Sequence, residues 1–200
     1  MRLDPRVPIA VATRNADKFG ELVTLWGDTL PVLVPPGDEY PEVDEPHATY
    51  EGNALLKATE LARLRGGPAL ADDSGIEVEA LGWGPGVVSA RTPSPDSTPG
   101  ERNADILARL AALGDVSRRA RYVCVCALVV PGQEPIIGRG EVEGEIARAP
   151  RGSNGFGYDP IFYYPPYART FGEVDIAMKH AVSHRARAIR DLSEKLIRRQ

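Results

Sequence analysis

The stretch "PALADDSGIEV" sets the hardest condition on how this chain folds, because Asp72 and Asp73 follow an apolar run without a break. Pro68 to Ala71 reads as a buried strand, and the two acids stand where that strand is expected to give way to a turn at Ser74 and Gly75. A carboxylate taken out of water is costly unless a cation meets it, and two of them about 4 Å apart repel by roughly 4 kcal/mol at an effective dielectric near 20. Either the pair caps a turn in solvent, or the fold brings positive charge to it. An ordinary ion pair returns less than that repulsion, so a divalent cation is the better partner. Hard oxygens are the ligands on offer and the sequence holds no His or Cys cluster, which makes Mg²⁺ the natural choice, with Glu45 available as a further oxygen twelve residues before Lys57.

Where the positive charge comes from is unevenly written in the sequence. Of 24 basic residues 20 are Arg and four are Lys, and three of those four, Lys18, Lys57 and Lys179, fall in segments that carry other chemical signals. Asn15, Asn53 and Asn154, three of the four Asn, do the same. An ammonium is a compact point charge suited to a crowded phosphate oxygen where a planar guanidinium does not fit. The formal net charge of −4 argues against general adhesion to nucleic acid. The longest apolar run, Tyr122 to Val130, is far short of the roughly 18 residues that span a bilayer. The chain is expected to be a single cytoplasmic domain over residues 1–200, with no nucleic-acid or membrane partner. Cys124 and Cys126 fall on one face of that run and read as buried thiols, not metal ligands.

Periodicity supplies the framework. Ile9 to Ala12 reads as a strand and Phe19, Leu22, Val23 and Trp26 as the apolar face of a helix ended by Gly27. Strand "PVLVP" and the acidic loop "GDEYPEVDEPHA" lead to a helix capped by Thr49, carrying Leu55, Ala58, Leu61, Ala62 and Leu64 and stopped at Gly66-Gly67. Thr98 and Glu101 have capping-box spacing around Pro99, with Gly114 closing that helix. "RYVCVCALVV" and "PIIGRGEVEGEIA" read as long strands, the second bent at its glycines, and the middle of the chain as antiparallel sheet. Ser183 to Arg199 is amphipathic, with Ala186, Ile189, Leu192, Leu196 and Ile197 on one stripe. The pattern indicates an α/β or α+β domain with a mixed sheet.

Three further segments carry chemistry. "ATRNADKFGE" joins a strand to a helix start through a hydroxyl, an amide and an ammonium, the makings of an anion site without a Walker A loop; the competing reading has Asn15 as a cap and Lys18 in solvent. "RGSNGFGYDPIF" surrounds Phe156 with glycines, so that backbone approaches a ligand while a ring offers a stacking face, or else it is a structural turn. "MKHAVSHRARA" places Lys179, His184 and Arg185 near a helix start whose dipole is already positive, a tension that an anionic or acceptor-rich ligand relieves.

In order along the chain, "TRNADK", "EGNALLKA", "ADDSGIEVEALGWGPGVVSAR", "GSNGFGYDPIF" and "AVSHRARA" closely resemble the inosine/xanthosine triphosphate pyrophosphatase family, the house-cleaning nucleotidases often called HAM1-like proteins. The resemblance covers nearly the whole chain. It implies an elongated α/β fold, a mixed sheet flanked by helices with a substrate cleft between two lobes, and usually a homodimer. The implied activity is Mg²⁺-dependent hydrolysis of a non-canonical purine nucleoside triphosphate such as ITP, dITP or XTP to the monophosphate and pyrophosphate. By the same resemblance Thr13, Arg14, Asn15, Ala16, Asp17 and Lys18 hold the triphosphate, Lys57 and Ser74 contact phosphate, and Glu45 and Asp73 bind metal with Asp72 close by. Asp73 is also the implied proton acceptor, and Phe156, Gly157, Tyr158, Asp159, Lys179, His184 and Arg185 surround the nucleoside. Two departures stand out: Arg14 occupies a position that is Gly in many members, and Pro46 leaves the choice between Asp44 and Glu45 as loop ligand open. A non-catalytic nucleotide sensor and an aspartyl-nucleophile phosphatase are the competing functions, the second disfavoured because the acids are adjacent and not spaced Asp-x-Asp.

Overall fold

The computed structural model describes Leu3, Asp4 and residues 6–27, 31–41 and 43–199; Glu42 of the acidic loop therefore lies outside the described residues. β1 (Ile9–Val11) turns through Thr13, Arg14 and Asn15 into α1 (Ala16–Trp26), where Asn15 Oδ1 accepts from Lys18 N at 2.9 Å and Gly27 at φ 74° ends the helix. After β2 (Leu33–Val34) a long irregular segment leads to α2 (Tyr50–Arg65), capped by Thr49 and closed by Gly66 in the left-handed region. β3 (Ala69–Val78) and β4 (Gly84–Pro85) precede α3 (Pro99–Leu113), whose start is the expected Thr98-Glu101 capping box. Then come β5 (Arg119–Val129), β6 (Ile136–Ile146), β7 (Phe162–Tyr164), β8 (Arg169–Thr170), α4 (Ile176–Val182) and α5 (His184–Arg198).

The strands form one mixed sheet in the order β2-β1-β3-β5-β6-β7-β8, with β4 paired to β3 off that path. β1 runs parallel to both β2 and β3, Ala10 opposite Val34 and Ala69, as strands joined by helical crossovers do. β4 on β3, β7 on β6 and β8 on β7 are antiparallel. One expectation fails here: Asp72 and Asp73 do not mark the end of a strand, because β3 continues through Ser74 to Val78 with both acids buried at 2% and 3% exposure. Successive strand residues point to opposite faces, so the nearest partners of the two acids differ.

Two compact units are distinguished along the chain. The first comprises Met1–Asp73, Cys124–Gly140 and His184–Gln200. Its core joins Ile9 and Val11, Leu22 and Trp26, and the α5 residues Ile189, Leu192 and Leu196. Cys124 and Cys126 are free and fully buried within it, as expected. Two glycines of β6, Gly138 and Gly140, let α5 lie on the strand. A Cβ on Gly138 would stand 2.3 Å from the Ala188 carbonyl oxygen and one on Gly140 2.2 Å from that of His184. Ile197, placed on the apolar stripe from sequence, is 64% exposed, since it lies about 100° around the helix from buried Leu196. Val23 and Leu64, both 42% exposed, also leave their expected faces.

The second unit comprises Ser74–Val123 and Glu141–Ser183, with Ile76, Val78, Ile106, Leu110 and an aromatic group in its core. Phe162 stands 4.6 Å from Tyr122 and 5.0 Å from Phe171 between ring centroids. Such pairs add roughly 0.5–1.5 kcal/mol beyond the area they bury.

Candidate functional site

Asn53 and Lys57 are four apart on α2 and so share a face, which turns both toward β3. Asn53 Nδ2 donates to Asp73 Oδ2 at 3.1 Å, and Lys57 Nζ lies 3.5 Å from Asp73 Oδ1. The same ammonium donates to Glu45 Oε1 at 2.6 Å. One buried cation therefore serves two carboxylates. Burial would lower the Lys57 ammonium, but Asp73, Asp72 and Glu45 outweigh it and hold it above its usual value. Burial raises the Asp73 carboxyl, and Lys57, Lys18 and Asn53 do not offset that together with the repulsion from Glu45.

Asp72 belongs to a different group. Its Oδ2 meets Arg185 Nη2 at 3.1 Å and Lys18 Nζ at 3.5 Å, while Arg185 Nη1 donates to Glu21. Arg185 is buried to 1%. Burial would raise the Asp72 carboxyl, yet Lys18, Arg185 and Lys57 hold it well below the usual carboxylate range. Of the acid pair expected at the metal, Asp72 has Arg185 and Lys18 as its nearest cations, whereas Asp73 has Lys57. Arg185, expected beside the nucleoside, is an interior member of the Asp72 group.

At the start of α1 the structure combines the two readings of the sequence. Asn15 caps the helix, and its own N–H donates to Thr13 Oγ1 at 3.2 Å. Lys18 is only 22% exposed and turned toward Asp72, not into solvent. Ala16 and Asp17 are exposed in the first turn. Arg14 points its Nη2 at the carbonyls of Tyr40 and Asp38. A cavity of about 410 Å³ opens here, lined by Thr13, Arg14, Asn15, Phe19, Pro35 and Gly37 among others. His184 is buried at the first residue of α5.

Within the second unit, Asp159 organises the Phe156 loop. Its Oδ2 accepts from Phe156 N at 2.9 Å and from Lys179 Nζ at 2.5 Å, and Tyr122 donates its hydroxyl to Oδ1 at 3.3 Å. Lys179 Nζ stands 4.8 Å from the centre of the Phe156 ring, a cation over an aromatic face. Gly155, at φ 70°, is required twice over: its backbone is left-handed, and a Cβ would fall 2.1 Å from Asp159 Oδ2. Asn103 donates to Gly157 O at 3.2 Å and Tyr158 to Ser89 O at 2.8 Å, with burial pushing the Tyr158 phenol up to about 12. Asn154 ties the loop to Val174 O at 3.0 Å. Ser74 follows Asp73 on β3 and is half-buried.

Lys179 lies on α4 and is separated from α5, so the cationic trio read at one helix start is divided between two helices. Asn53 and Glu21 were not among the site residues expected. The signals that could have found them are helical spacing to a Lys, Asn53 four before Lys57 and Glu21 three after Lys18.

Among the described residues no group of three or more His, Cys, Asp or Glu side chains converges on a point. Glu45 and Asp73 nonetheless suit a hard divalent cation. Mg²⁺ is commonly held by one or two carboxylates, with water and phosphate oxygens completing its shell, and here two carboxylates already share one positive centre.

A profile of the Ham1 family matches residues 9–195. The dITP/XTP pyrophosphatase of Coxiella burnetii (strain RSA 493 / Nine Mile phase I) is 43% identical over 189 residues, covering 92% of this chain and 94% of that protein. The dITP/XTP pyrophosphatase of Syntrophobacter fumaroxidans (strain DSM 10017 / MPOB) is 45% identical over 187 residues, 92% of this chain and 79% of that one. The solved structure of a HAM1 protein from Coxiella burnetii superposes with a TM-score of 0.88 at 42% identity, over 96% of this chain and 99% of that chain.

Proposed function

From a chain that belongs to the Ham1 family we infer a hydrolase that converts non-canonical purine nucleoside triphosphates, dITP and XTP as in the names of its relatives and ITP by the same chemistry, to monophosphate and pyrophosphate. The observation that carries this reading into the structure is that the Lys57 ammonium draws Glu45 and Asp73 together, at 2.6 and 3.5 Å. Two carboxylates brought to one point in a largely buried position suit a divalent cation that arrives with a polyphosphate. Glu45 and Asp73 would hold Mg²⁺, which when bound supplies charge neutralisation at phosphate oxygens and an acidified water.

The chain's own groups divide the remaining work. Asp73, its carboxyl raised by burial, accepts a proton from the attacking water, and Asn53 fixes the orientation of that carboxylate. Lys57 and Lys18 offset charge that builds on the departing pyrophosphate, and the amides and hydroxyl at the start of α1 receive the phosphate tail. On the nucleoside side, Phe156 offers a stacking face and Lys179 the donors. Hypoxanthine and xanthine carry an acceptor oxygen at C6 where adenine carries an amino donor, so an ammonium favours the former. Guanine shares that oxygen, and its rejection rests on the 2-amino group. A homodimer in the cytoplasm completes the proposal; for the described residues, no helix is long and apolar enough to cross a membrane.

Pyrophosphate release measured across ITP, XTP, GTP and ATP, with and without Mg²⁺, tests the whole reading. The expected result is metal-dependent release from ITP and XTP with kcat/KM at least about 100-fold above that for ATP. Binding without turnover would instead identify a sensor, and a trapped phospho-enzyme an aspartyl phosphatase.

A further inference from the structure

Residues 35–41 and 43–49 lie in no regular helix or strand, so side chains from elsewhere decide where they lie. Arg65 Nη1 reaches Pro36 O at 3.4 Å and Glu39 Oε1 at 3.2 Å. Arg14 Nη2 donates to Tyr40 O and lies 3.4 Å from Asp38 O. Tyr40 is buried to 4% exposure, its ring acting as an anchor while its hydroxyl meets no hydrogen-bond partner among the described residues. Asn53 accepts from His47 N at 3.0 Å and donates to His47 O at 3.2 Å, and between these holds Lys57 takes Glu45. Arg14 is the one of these tethers that starts from the turn between β1 and α1, beside Thr13 and Asn15.

We propose that Arg14 is a positioning residue, whose guanidinium latches the 38–40 backbone and so presets Glu45 before metal and nucleotide arrive. The proposal rests on the reading of Glu45 as a metal ligand given above. A guanidinium suits this role because it is planar, always charged, and offers several N–H donors in a fixed fork, so that one side chain addresses two carbonyls of a neighbouring segment. The role of Arg14 thus lies in what it holds across the fold, and not in contact with phosphate.

Arg14→Ala should speed amide exchange at residues 38–45 of the metal-free protein by about tenfold, the scale of one lost charge-assisted hydrogen bond, with exchange in α1 as in the wild type. It should also raise the Mg²⁺ concentration at half-maximal rate about tenfold, with the nucleotide KM returning toward the wild-type value at saturating Mg²⁺. Arg14→Lys should recover part of both. Tyr40→Phe, which removes only an unpartnered hydroxyl, should match the wild type, and Tyr40→Ala should resemble Arg14→Ala. Unchanged exchange at 38–45, or a nucleotide KM raised equally at limiting and saturating Mg²⁺, overturns the proposal in favour of direct phosphate contact. The exchange measurement needs no turnover, so failure of the latch is separable from failure of the proposed activity, which an inactive wild type would expose.

Discussion

Two buried charge groups lie side by side on the same strand of the first unit, and their nearest partners differ. Asp72 meets Arg185 at 3.1 Å and Lys18 at 3.5 Å, and Arg185 also holds Glu21. Asp73 meets Lys57 at 3.5 Å, and Lys57 also holds Glu45 at 2.6 Å. Burial acts on both aspartates alike, yet it loses at Asp72, whose carboxyl is held low, and prevails at Asp73, whose carboxyl is raised. Adjacent residues of one type thus acquire opposite characters from their partners alone. A carboxylate whose charge its partners hold in place serves the fold, whereas one that burial raises is the one a further cation would relieve.

Substitution in the Asp73 group should produce the largest effect of all, and on turnover. Asp73→Asn keeps the shape and the Asn53 contact but removes the charge that holds metal and takes the proton. Steady-state pyrophosphate release from ITP should fall on the order of 10⁴-fold, while the affinity for a non-hydrolysable ITP analogue, measured by calorimetry without Mg²⁺, changes little. Wild-type rates in this variant would break the comparison at its centre.

The Asp72 group should answer in stability. Arg185→Met removes the guanidinium that joins Asp72 to Glu21, and removing one partner from a buried ion network costs about 3–5 kcal/mol. Urea unfolding read by circular dichroism gives that loss directly. A loss below about 1 kcal/mol would mean that water or a shift of α5 compensates, and that the two groups are less distinct than their charges suggest.

Much of this contrast was legible in the chain, though not its division. Local signals were strong where the physics is local: the caps at Asn15, Thr49 and Thr98 and the stops at Gly27 and Gly66 lie where their side chains and backbone freedom require. The need for cations at Asp72-Asp73 was also readable, because desolvation of a carboxylate does not depend on topology. Which cation goes to which acid was hidden, since Arg185 and Asp72 are brought together only by the packing of α5 on the sheet, through two glycines of β6 whose purpose is likewise invisible without the helix. Strand alternation could have separated the two acids. It was overridden by the apparent turn at Ser74-Gly75, which the structure continues as strand.

The smallest effect gives the sharpest test of sign. In the folded protein the Asp73 carboxyl lies above its ordinary value because burial disfavours its charge, so its ionised form costs stability, and the cost grows as pH rises through the folded value. In the absence of metal, Asp73→Asn should therefore leave the protein at least as stable as the wild type at neutral pH, with a gain under about 1 kcal/mol that fades in acid. Asp72 has the opposite sign: its depressed carboxyl contributes stability above the ordinary aspartate range that is lost as pH falls through the folded value, so Asp72→Asn should be destabilising at neutral pH. Mg²⁺ reverses the order for Asp73. A ligand at ten times its dissociation constant adds about 1.4 kcal/mol, which the wild type should show as a higher melting temperature and Asp73→Asn should largely lack. Melting curves for the three proteins at acidic and neutral pH, with and without Mg²⁺, decide the matter: if both asparagine variants shift in the same direction without metal, the two aspartates do not differ in the way their partners imply.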